Sequence, residues 1–213
     1  TVVKGNESAH FNNFSDLLSQ SIIPYSEIVT NELVIKHLIN NANAKLEELR
    51  QVNHNAGGLI VASSIPHAWK IQLILKKITG ETALVVTSKE EEANSLIQNY
   101  RYNDDKWVIS VGMISEGTNI PRLQVCCYLS NIKTEMYYRQ VLGRILRITT
   151  SSNQDAILFM PAEPKLLSYA YRLSQDIPDG LASIKIEIID EEITVDDIEI
   201  VEPEKIDTQN DPV

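Results

Sequence analysis

Short apolar runs alternate with amphipathic stretches through the middle of this chain. The runs fall at 59–63, 83–87, 107–113, 125–130 and 156–160, apolar at successive positions, as strands covered on both faces should be. Between them, 66–78, 89–100, 134–146 and 163–173 place apolar residues at helical spacing. Pro66 suits a first helical turn, where its missing N–H costs nothing, and Gly80 suits a helix end. Such alternation predicts βαβ units, hence an α/β fold with a parallel sheet and helices on both faces. Upstream, 31–52 repeats Leu33, Val34, Leu38, Ile39, Leu46 and Leu49 at helical spacing and predicts a helix packed on the sheet, after a less regular opening at 1–30. Downstream, 181–201 alternates apolar and acidic residues, predicting one or two half-exposed strands, and a disordered tail is expected from Pro203.

Composition sharpens this division. A chain of 213 residues exceeds one domain of typical size and falls short of two, and a hydrophobic content of 43% supports a real core. The expected organisation is an interdomain connector and packing helix at 1–56, an α/β domain at 57–175 and a partly disordered acidic extension at 176–213. The net charge of -10 sits almost wholly in that extension: residues 176–213 hold thirteen acids against two lysines, and the first 175 hold sixteen acids against seventeen bases. The body is therefore near neutral, and the overall acidity does not exclude a polyanionic partner. Cys126 and Cys127 are adjacent within an apolar run, so their side chains should point to opposite faces of a strand, buried, with neither a disulfide nor a metal site. His10, His37, His54 and His67 show no ligand spacing, and no metal site is expected. No signal peptide or long apolar span is visible, so a cytoplasmic location without membrane partners is expected.

The chemistry concentrates near the end of the alternating region. Arg144 and Arg147 stand three apart and so share a helical face, behind Gln140 and Gly143; paired guanidiniums suit a polyphosphate better than a core. Upstream, Ser115-Glu116-Gly117-Thr118-Asn119-Ile120-Pro121-Arg122-Leu123 follows the apolar run 107–113. This pair, in this order and spacing, resembles motifs V and VI of the superfamily 2 helicases and translocases, over 57–147 and more weakly to about 172. Gly57-Gly58-Leu59-Ile60-Val61-Ala62-Ser63-Ser64 then falls where motif IV opens the second of the two RecA-like domains in those motors.

The resemblance implies a RecA-like fold and the second motor domain of an ATP-dependent helicase or translocase, with ATP and magnesium bound mainly by a first RecA-like domain of the same polypeptide. No Gly-x-x-x-x-Gly-Lys-Ser/Thr loop occurs in the sequence, and it begins at Thr1, so an excised half is expected, inactive alone. By resemblance, Arg147 would be the arginine finger and Arg144 a second γ-phosphate or interdomain contact. Gln140, Gly143, Gly117 and Asn119 would face the nucleotide. Ser63, Ser64, Thr87, Ser88, Lys89 and Gly112 would contact the nucleic-acid backbone, although serines at strand-to-helix junctions also cap helices. Asn119 replaces an aspartate found in many relatives, and Val111-Gly112 replaces the Thr-Asp of DEAD-box relatives. The Gln-x-x-Gly-Arg form of motif VI and the Glu-Gly-x-Asn-Ile-Pro form of motif V look more like restriction and repair motors, so DNA is preferred over RNA.

Two competing readings remain. One is a catalytically inactive helicase-like interaction module whose acidic tail binds a protein partner. The other is a small-molecule enzyme on a doubly wound sheet, disfavoured because no acid–base pair or nucleophile gathers at the strand ends. Ile188-Ile189-Asp190-Glu191-Glu192 looks like a Walker B strand but follows motif VI, and an exposed acidic strand is expected. Trp69, Trp107, Tyr137 and Tyr138 are expected to pack in the core or at its edge.

Overall fold

A computed structural model describes residues 2–4, 7–9, 23–87, 92–112, 120–145 and 156–176. Two short strands, β1 (Val2–Lys4) and β2 (Glu7–Ala9), pair antiparallel in what the sequence suggested was irregular. Helix α1 (Tyr25–Thr30) precedes α2 (Glu32–Val52), which begins where the Asn31 side chain accepts from the Leu33 and Val34 amides at 2.9 and 3.3 Å. The alternating region follows as β3 (Gly57–Ala62), α3 (Ile65–Thr79), β4 (Leu84–Thr87), α4 (Ala93–Tyr102), β5 (Trp107–Val111), β6 (Leu123–Leu129), α5 (Glu135–Ile145), β7 (Ile157–Phe159) and α6 (Pro164–Asp176). The acidic extension beyond Asp176 lies outside the described residues, as do the strands expected within it.

The five strands β3 to β7 form one parallel sheet in the order β4-β5-β3-β6-β7. Alternate side chains of each strand feed two cores. On one face Ile60, Trp107, Ile109, Val125 and Cys127 pack against α2 and α3; on the other Leu59, Val61, Val108, Cys126 and Tyr128 pack against α1, α4, α5 and α6. Cys126 and Cys127 thus part as expected, both buried and unbridged. Helix α2 is integral to its layer: Ile35, Ile39, Ala42 and Leu46 are fully buried, the two isoleucines and the leucine each worth on the order of 1.5–3 kcal/mol of transfer from water.

Gly57 and Gly58 have a packing reason that periodicity does not reveal. A Cβ on Gly58 would sit 2.3 Å from the Trp107 ring, its register partner across β5, and one on Gly57 would sit 2.7 Å from the Tyr100 hydroxyl. Trp107 is accordingly buried, its indole donating to Asn43 Oδ1 at 3.0 Å. Trp69 corrects the expectation of packing: it is 49% exposed on α3.

Candidate functional site

The pairing register aligns the carboxyl ends of the central strands, with Ala62 opposite both Val111 and Leu129, and Thr87 opposite Val111. Ser63, Gly112 and Ser130 therefore leave the sheet along one edge, where open α/β sheets bind ligands. Gly112 has φ 79°, a left-handed conformation that side chains disfavour, and it turns the chain out of β5. Residues 113–119, which include Gly117 and Asn119, lie outside the described residues. They link this edge to Arg122 at the opposite end of the sheet.

Arg122 is structural. Its guanidinium is buried over the Tyr100 ring, 4.4 Å from the centroid, and donates to the carbonyls of Asn55 at 3.2 Å, Asn103 at 2.9 Å and Asp105. An ion pair from Lys133 to Glu163 at 3.0 Å joins the start of α5 to that of α6, where Glu163 also accepts from the Leu166 amide at 2.9 Å.

Helix α5 buries Tyr138, Val141 and Leu142 against the sheet. Its flank carries Gln140 and Arg144, four apart and so stacked, and both line a cavity of about 20 Å³ with Leu59, Val61, Ser110, Gly112 and Val141. That volume admits one water. Ser110, buried on β5, was not singled out in the sequence, although it is the polar position within the apolar run 107–113. A Cβ on Gly143 would meet nothing within 4 Å, so no packing among the described residues requires glycine there. Arg147 falls outside the described residues.

Of the residues expected at the phosphate edge, Ser63, Ser64, Thr87 and Gly112 are among those described. Ser64 caps α3, its exposed hydroxyl accepting from the His67 amide at 3.3 Å while keeping its own hydrogen. Ser63 is turned inward: its amide donates to His67 Nδ1 at 3.2 Å, so that nitrogen is an acceptor, and the hydroxyl at 2.8 Å donates to it as well. His67 is buried, and burial, with Lys70 nearby, pulls its pKa down to about 4, so it is neutral near pH 7 and keeps both donors engaged. Thr87 is buried as well. Ser88 and Lys89 lie outside the described residues. Among the described residues, no group of three or more His, Cys, Asp or Glu is placed to hold a metal ion, and no helix is long and apolar enough to cross a membrane.

The five-stranded parallel sheet with helices on both faces has the RecA-like fold. The chain superimposes with a TM-score of 0.51 on a fragment structure assigned to an HsdR subunit of a type I restriction enzyme from Vibrio vulnificus YJ016, at 11% identity, covering 65% of this chain and 30% of that one. It superimposes with a TM-score of 0.50 on Mss116p bound to ssRNA and AMP-PNP, at 14% identity, covering 70% and 30%. In sequence it is 34% identical over 136 residues to the uncharacterized protein ML1624 of Mycobacterium leprae (strain TN), spanning 64% of this chain and 23% of that protein. Uncharacterized protein Rv2917 of Mycobacterium tuberculosis (strain ATCC 25618 / H37Rv) matches at 32% over the same length, of which the match spans 22%. The chain thus spans under a quarter of the length of these curated relatives. No family model matches it.

Proposed function

We propose that this chain is the second motor domain of an ATP-dependent helicase or translocase that moves on nucleic acid, DNA in preference to RNA. The observation that carries the reading is the convergence of Gln140 and Arg144 with Ser110 and Gly112 in one cavity at the carboxyl end of the sheet. Residues 113–119, bearing Gly117 and Asn119, begin at that same edge. A guanidinium and an amide on this wall match the oxygens of a triphosphate in charge and hydrogen-bonding type.

Bound ATP supplies a transferable γ-phosphoryl group with its magnesium, held mainly by a first RecA-like domain of the same polypeptide. The residues present here close the cleft. Arg144 and Arg147 place positive charge at the γ-phosphate edge, Gln140 and Asn119 offer hydrogen bonds, and Gly117 and Gly143 let the opposing surface come close. Because these groups sit on a different domain from the phosphate loop, they act only when the cleft is closed, which couples hydrolysis to the grip on the strand.

The test is Arg147→Ala in the full-length protein. Stimulated ATPase should fall by roughly a thousandfold or more, the scale of a lost arginine finger, while ATP binding stays within a few-fold. Near-normal turnover would remove Arg147 from the mechanism, and robust ATPase from residues 1–213 alone would overturn the half-motor reading.

A further inference from the structure

Helix α3 buries His67, Ala68, Ile71, Ile74 and Leu75 and turns Pro66, Trp69, Lys70, Leu73, Lys76 and Lys77 outward. Its fifteen residues contain no carboxylate, although the chain as a whole is at -10. Trp69 and Leu73 are 49% and 61% exposed one turn apart, whereas the chain's other tryptophan, Trp107, is 2% exposed. Helical side chains lean toward the N-terminus, so the Trp69 indole leans over the first turn of α3, at Ile65 and Pro66. Ser64 in turn stands at the carboxyl end of β3 with a hydroxyl hydrogen to give.

We propose that the outer face of α3 is a stacking surface for single-stranded nucleic acid, with Trp69 as the base platform and Lys76 and Lys77 as backbone contacts continuing from Ser64. The inference rests on the nucleic-acid reading above and adds the face on which the strand runs. Charge complementarity favours a polyanion. The flat, half-exposed indole on the helix that Ser64 caps favours one that carries bases over an acidic peptide, since stacking accepts any base and needs no sequence readout. From Ser64 to Lys77 the helix rises about 20 Å, enough for several successive contacts.

The experiment titrates the 213-residue chain with a labelled oligothymidylate, reading label anisotropy and tryptophan emission together. Binding should quench Trp69 and shield it from iodide while the buried Trp107 component stays constant. Trp69→Ala should weaken binding roughly tenfold, as loss of one stacked base would, with Trp69→Phe within about threefold of the parent. Replacing Lys76 and Lys77 by Gln should lower the salt slope by about 0.7 per lost phosphate contact. If the parent binds and a folded Trp69→Ala binds equally well, this inference fails while the motor reading stands. If the parent does not bind at all, both fail. If poly-glutamate quenches Trp69 and oligothymidylate does not, the face serves an acidic protein segment and the proposal is overturned.

Discussion

Gly143→Ala should stabilise this chain and impair the motor. Gly143 lies within α5 with a helical backbone, where glycine costs about 0.8–1.0 kcal/mol relative to alanine. Among the described residues the new methyl would meet nothing within 4 Å, so none of them offsets the gain by a clash. Taking about 0.5–1 kcal/mol to allow for its place near the end of α5 as described, the melting temperature should rise by roughly 1–4 °C. Urea unfolding of residues 1–213 should show a higher midpoint with an unchanged slope. In the full-length protein the methyl would occupy the space assigned above to the opposing surface, so nucleic-acid-stimulated ATPase should fall. A less stable domain would refute the packing argument. A stabilised domain with undiminished full-length ATPase would refute the assignment of that space.

Three further outcomes follow from the same geometry. Gly58→Ala should destabilise by on the order of 1–3 kcal/mol, because its Cβ would overlap the Trp107 ring, and denaturant melts would register the loss. His67 is held near pKa 4 against 6.5 unfolded, so the unfolded chain binds the extra proton; stability should fall as pH drops from 6.5 toward 4, and His67→Gln should flatten that slope in melts across this window. Removing residues 178–213 should raise oligonucleotide affinity at low salt and lose the advantage at high salt, and unchanged binding by a folded truncation would mean that the acidic tail does not shield the site.

Much of this fold was legible because each element carries its own local signal. The five apolar runs became the five strands of one sheet, Pro66 and Gly80 bracket α3, and the helical spacing of 31–52 became α2 with its Asn31 cap. The order β4-β5-β3-β6-β7 has no such signal, since runs apolar on both faces can pair in any order. The site was legible as motifs, and the structure brings Gln140, Arg144 and Gly112 together. What periodicity hid was geometry between distant residues: Ser63 turned inward by His67, Thr87 buried, Arg122 bound to carbonyls at the far end of the sheet, and Ser110 in the cavity wall. Trp69 misled because helical spacing alone does not say which aromatic lies beyond the edge of the buried stripe.

The adjacent cysteines give this domain a built-in clock for each of its layers. Cys126 and Cys127 are one residue apart yet belong to different cores, and burial raises both thiols, Cys127 to about 12. Neither thiolate forms near neutral pH while its layer stays shut, so labelling each single-cysteine variant times the opening of one side of the sheet. Equal rates would mean that the two layers part in one event; a faster Cys126 would mean that the side carrying α5 loosens first, with the sheet still closed beneath α2 and α3.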